Sequence, residues 1–114
     1  MKRLGIVPHR FAQPLFYGLK RQGDPAAFEL TESRHAGTAE LAIKLRRGQL
    51  DGAFLSPIDY AKEHSRYSIV PSVGVLSGRE SSAVCLLFRE SLRRVNSIAV
   101  DPSAGSEVVL AHLI

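Results

Sequence analysis

The stretch Leu45-Arg46-Arg47-Gly48-Gln49-Leu50-Asp51-Gly52-Ala53-Phe54-Leu55-Ser56-Pro57-Ile58-Asp59-Tyr60-Ala61 holds a helix end, a strand and a helix start in succession. Gly48 comes after a run of helical periodicity and stops it. Residues 50–55 are short and mostly apolar, as in a buried strand. Ser56 then offers an N-cap hydroxyl, Pro57 suits the first helical position, and Asp59 stands at the third, a start resembling a capping box. A strand tightly bracketed by two helices is the unit of an α/β domain with a mainly parallel sheet.

The pattern extends both ways. Upstream, Thr38 can cap a helix over residues 39–47, with Leu41, Ala42 and Leu45 on its apolar face and Glu40 and Lys44 paired at i,i+4. Residues 28–31 read as a strand. Leu15, Phe16 and Leu19 recur at helical spacing behind Pro14 and ahead of Gly23, and residues 4–7 form a first strand stopped by Pro8. Downstream, residues 68–70 and 73–76 are strand-like, residues 83–88 form a continuous apolar run suited to a strand buried on both faces, and residues 97–100 read as another strand. A polar turn over 101–106 leads into a helix starting near Ser103 or Ser106 and carrying Val108, Val109, Leu110 and Leu113.

Composition narrows the function. The 114 residues are 45% hydrophobic and 23% charged, with 15 Lys+Arg against 11 Asp+Glu, as in an ordinary globular domain. The single cysteine, Cys85, has no disulfide partner, cannot build a thiolate zinc site, and sits in the most apolar run as a small hydrophobe. Basic residues come in scattered pairs (Lys2-Arg3, Lys20-Arg21, Arg46-Arg47, Arg93-Arg94) rather than in a stripe, which argues against nucleic-acid binding. No apolar run has the length of a membrane span. Met1-Lys2-Arg3 leads into four residues before Pro8, too few for a secretion signal, so the expected location is cytoplasmic.

Ligands of parallel α/β sheets sit beyond the carboxyl ends of the strands. That places residues 8–13, Leu55-Ser56, residues 77–82 and residues 101–106 near one another. Ser103 and Ser106 at a helix start, and Ser56 at a strand end, could fix a carboxylate or could simply cap their helices. Ser81 and Ser82 beside Gly78 and Arg79 form either a cleft lip or a surface turn. His9 and Arg10 come after the first strand, where a histidine can act as acid or base. His35, His64 and His112 show no metal-ligand spacing, and no phosphate loop, dinucleotide fingerprint or Gly-x-Ser-x-Gly is present.

Several segments resemble the MqnA family, the chorismate dehydratases of the futalosine route to menaquinone. Pro14-Leu15-Phe16-Tyr17-Gly18-Leu19 after the first strand is similar to that family's opening. Residues 45–51 and 56–61 resemble its "L-x-x-G-x-L-D … S-x-I-E-Y-A". Tyr67-Ser68-Ile69-Val70-Pro71, Val84-Cys85-Leu86-Leu87-Phe88 and Asp101-Pro102-Ser103 continue the match in one register. The resemblance implies a two-lobed fold of the periplasmic-binding-protein type. Residues 1–91 would form the first lobe, 92–96 a crossover and 97–114 the truncated start of the second lobe, so the chain is expected to be an N-terminal portion, inactive alone.

The resemblance further implies a hydro-lyase that converts chorismate to 3-[(1-carboxyvinyl)oxy]benzoate without metal or redox cofactor. Its partner would be that small anionic substrate, held through its carboxylates by Ser56, Ser81, Ser82, Ser103 and Ser106. One position departs from the family. Its first loop reads "S-Y-L-N-T-x-P", and the asparagine implicated in catalysis falls on Phe11, whose side chain neither donates nor accepts a hydrogen bond. His9 and Arg10 are the candidates to stand in. A non-catalytic carboxylate-binding protein of the same fold is the alternative expectation.

Overall fold

A computed structural model describes residues 1–24, 26–35, 37–76, 78, 87, 97–101 and 105–113. Among the described residues three strands form one parallel sheet: β1 (Lys2–Ile6), β2 (Phe28–Glu32) and β3 (Gly52–Ala53), in the order β2-β1-β3. The helices described with it are α1 (Gln13–Gln22), α2 (Ala39–Arg46), α3 (Pro57–Lys62) and α4 (Gly105–Ala111), with a 3-10 turn at His64–Arg66. The protein is a mixed α/β structure with a small parallel sheet, as the alternating pattern indicates.

The first strand lies in the middle. Its register runs from Lys2 opposite Phe28 to Ile6 opposite Glu32 on one side, and places Leu4 and Gly5 opposite Gly52 and Ala53 on the other. Each pair is parallel, so a crossover is required between partners. α1 supplies it between β1 and β2, and α2 between β2 and β3.

Helix ends obey local chemistry. At the end of α2, the Gly48 N–H donates to Leu45 O and the Gln49 N–H to Lys44 O, with Gly48 at φ +69°. This is the Schellman arrangement, and only glycine takes that φ without cost. α3 starts as its sequence suggests: the Ser56 hydroxyl accepts from the Asp59 N–H at 3.1 Å, with Pro57 in the first turn. The Glu40–Lys44 pair closes at 2.7 Å.

Among the described residues, Val7, Ala12, Leu41 and Leu50 form a buried cluster, with Phe16, Leu45, Ala53, Phe54 and Leu55 packed against them. Phe16 meets Phe54 edge-on at 6.4 Å. Gly5 is a tight point between the sheet and the residues packed on it. A Cβ there would stand 2.7 Å from Leu50 Cδ1 and 2.9 Å from Leu41 Cδ2. The helix lies this close to the sheet because β1 carries no side chain at that position.

Some expectations are corrected. Thr38 precedes α2 but makes no side-chain cap, because its hydroxyl is engaged elsewhere. Helix α2 ends at Arg46, one residue earlier than expected. The expected strand over 50–55 shrinks to Gly52–Ala53. Residues 68–70 and 73–76 form no strand: Pro71 and Ser72 turn the chain, Ser72 at φ +61°, and the segment is exposed. Residues 97–100 are likewise irregular. Of the apolar run 83–88, only Leu87 is described, and it is exposed; Cys85 lies outside the described residues.

Candidate functional site

The carboxyl ends of the three strands lead into three different turns. After β1, Val7 is buried and residues 8–12 wrap into α1. The Ala12 N–H donates to His9 O at 2.9 Å and the Gln13 N–H to Arg10 O at 3.3 Å. These turns hold the His9 and Arg10 backbones, while Arg10 itself is exposed. Phe11 is 66% exposed, and its ring lies 4.8 Å from the His9 ring, tilted by 30°. The Phe11 N–H donates to His9 Nδ1 at 3.5 Å, a long bond.

After β2, Ser33 is buried and extends the ladder by donating its N–H to Ile6 O at 2.8 Å. The Glu40 side chain ties this turn to α2. Its Oε2 accepts from the Arg34 N–H at 3.0 Å and the Ser33 hydroxyl at 3.3 Å, while Oε1 meets Lys44. The Lys44 ammonium and these two donors hold the Glu40 carboxyl down at about 2, well below its ordinary range.

After β3 comes an enclosed polar cluster. Asp59 is 6% exposed. Its Oδ2 accepts from the Thr38 hydroxyl at 2.5 Å and the Ser56 hydroxyl at 2.8 Å, and its Oδ1 lies 3.8 Å from Lys62 Nζ. The Ser56 N–H in turn donates to Thr38 Oγ1 at 3.3 Å. One carboxylate thus joins the start of α2 to the start of α3. A third element reaches it as well: a Cβ on Gly105 would lie 3.5 Å from Asp59 Oδ1 and 3.6 Å from the Ala39 Cβ. A cleft of about 260 Å³ opens beside the cluster, its walls including Ile43, Arg46, Asp59, Lys62 and Tyr67.

The structure therefore brings Ser56 and the first turn of α4, which carries Ser106, to the same neighbourhood through Asp59 and Gly105. The Ser56 hydroxyl both donates to the Asp59 carboxylate and accepts from the Asp59 N–H. Ser81, Ser82 and Ser103 lie outside the described residues. Sequence reading missed Thr38 and Asp59 as a linked pair. Asp59 was visible as the third residue of a helix start, but nothing local ties it to a threonine 21 residues earlier.

Away from these turns, Arg3 donates to both oxygens of Asp51 and to Gly48 O, the last at 2.8 Å. Arg3 holds the Asp51 carboxyl down at about 2, and the Arg3 guanidinium is pushed up in return. Asp51 precedes β3 and Arg3 lies early in β1, so this clasp is structural and remote from the strand carboxyl ends.

Among the described residues no group of three or more His, Cys, Asp or Glu could hold a metal ion, and no helix is long and apolar enough to cross a membrane. No curated protein and no solved structure matches the chain. A sequence profile described as menaquinone biosynthesis does match, over residues 2–114. With the MqnA-like motifs running in one register along the same residues, the chain belongs to the menaquinone-biosynthesis family.

Proposed function

We propose that the chain belongs to a chorismate dehydratase. This would be a cytoplasmic hydro-lyase of the futalosine route that removes water from chorismate to leave 3-[(1-carboxyvinyl)oxy]benzoate. The observation that carries this reading is the menaquinone-biosynthesis match along residues 2–114. The parallel sheet supports it, since its carboxyl ends collect hydroxyls and backbone donors of the kind that fix carboxylates. In this reading the fold is of the periplasmic-binding-protein type. Residues 1–91 form its first lobe, 92–96 cross over, and 97–114 open the second.

Ser56, Ser81, Ser82, Ser103 and Ser106 are the proposed carboxylate anchors, and His9 and Arg10 the candidates for the reacting side. Aromatisation drives the reaction, so orientation and proton transfer are what the protein must supply. The exposed Phe11 favours a second reading, a carboxylate-binding protein of the same fold without turnover, because it replaces a hydrogen-bonding asparagine.

The test is incubation of the reading frame carrying residues 1–114 with chorismate, then chromatography of the aromatic product. Product formation supports the dehydratase. Protection in a thermal melt without product supports the binder. Neither result leaves the family membership standing and removes both readings. If the dehydratase is right, Phe11→Asn is expected to raise turnover, and an unchanged rate would separate this loop from the chemistry.

A further inference from the structure

We propose that the cleft between α2, α3 and the start of α4 binds a small 2-hydroxy carboxylate bearing an apolar group. Asp59 accepts the ligand's hydroxyl, while Lys62 and Arg46 meet its carboxylate. The proposal stands apart from the dehydratase reading and uses no residue of the loop after β1.

Asp59 carries it. Its side chain is only 5% exposed, yet it forms part of the wall of the 260 Å³ cleft. The Thr38 and Ser56 hydroxyls both donate to Oδ2, and the Ser56 hydroxyl accepts from the Asp59 N–H, so the carboxylate is held in one orientation. Among the described residues Oδ1 accepts no hydrogen bond: Lys62 Nζ stands 3.8 Å away, beyond hydrogen-bond reach. A largely buried carboxylate with one oxygen left to the cleft is an acceptor awaiting a donor.

Charge decides what kind of donor. Glu63 is already shared, with Oε1 3.3 Å from Arg46 Nε and Oε2 3.4 Å from Arg66 Nη1. In this group three cations, Arg46, Lys62 and Arg66, face two carboxylates, Asp59 and Glu63. A ligand ammonium would add to the excess, whereas an anion balances it. The ligand's donor is therefore a neutral hydroxyl and its charge a carboxylate. The 3.8 Å between Oδ1 and Nζ requires these two groups to be adjacent, as they are in a 2-hydroxy acid. Ala39, Ala42 and Ile43 line the same cleft at helical spacing, and Ile43 is 46% exposed, so an apolar substituent on the ligand gains by covering it.

The test titrates the full reading frame carrying residues 1–114 with mandelate, its methyl ether, phenylacetate and phenylglycine, followed by NMR of the Ile43 methyls and the Gly105 amide. These ligands probe Asp59 without altering it. Mandelate is expected to shift both sets of signals and to bind about tenfold tighter than the other three, as for one hydrogen bond to a charged group. Lys62→Met, at a half-exposed position, should weaken mandelate and phenylacetate alike. Gly105→Val should block both, because a Cβ there already lies 3.5 Å from Asp59 Oδ1 and 3.6 Å from the Ala39 Cβ.

Equal affinity for mandelate and its methyl ether overturns the role of Asp59. Tighter binding of phenylglycine overturns the charge argument. Indifference to Lys62→Met, signal changes confined to other parts of the chain, or no binding of any of the four overturns the site. Chorismate turnover is read separately, so this proposal and the dehydratase reading can each fail alone.

Discussion

Removing the Asp59 carboxylate leaves the Thr38 and Ser56 hydroxyls, both partly buried, without their acceptor. An unsatisfied buried donor costs about 1–3 kcal/mol, so Asp59→Ala is expected to lower stability by at least that much in a urea melt. Asp59→Asn keeps a carbonyl oxygen and should lose less. Equal losses would mean that the charge rather than the acceptor is what matters. Gly5→Ala tests the close side-chain packing on β1. Its methyl would press on Leu50 and Leu41 and cost about 1–3 kcal/mol as overpacking. An unchanged denaturation midpoint would show that the two leucines can step aside. Neither constraint is legible as such in the sequence. The Ser56–Asp59 spacing announces a helix start, but the burial of Asp59 depends on Thr38 and Gly105, which come from other elements. Gly5 reads only as one small residue in a strand until α2 is packed against it.

Elements were legible where the code is local. Gly48 closing α2, Pro57 and Ser56 opening α3, and the i,i+4 pair Glu40–Lys44 are all short-range, and each forms as the sequence suggests. Strands were less legible because a strand exists only with a partner. Residues 73–76 have the right apolar character, yet Ser72 at φ +61° turns the chain just before them and they join no sheet. At this scale the pH response can be predicted. Glu40, which ties α2 to the end of β2, has its pKa lowered from 4.5 to about 2, and Asp51 has its pKa lowered from 3.8 to about 2. A carboxyl lowered by folding stabilises the folded state fully above its unfolded pKa, and that contribution is lost as pH falls through the folded value. Stability should therefore decline between about pH 5 and 2. Glu40→Gln is expected to flatten that decline when urea midpoints are compared across the range. High salt should reduce the Asp51 share, since its pair with Arg3 is exposed to solvent.

For the whole molecule, the parallel sheet was the most legible feature, because alternating helices and strands leave few other topologies. The candidate site was legible in outline only. The loops after β1 and β3 were expected at one edge of the sheet, and the structure places His9, Arg10 and Phe11 after β1 and Ser56 after β3. How those side chains are occupied was not, because a hydroxyl that can cap a helix and one that can hold a ligand look alike in sequence. The sheet order has a consequence for synthesis. β1 leaves the ribosome before its two neighbours yet occupies the middle, so neither flank can be filled until β2 and then β3 have been made. At about 5–20 residues per second the nascent chain carries this strand unpaired for several seconds. It must stay unattached to other chains until Gly52 and Ala53 arrive to seal it.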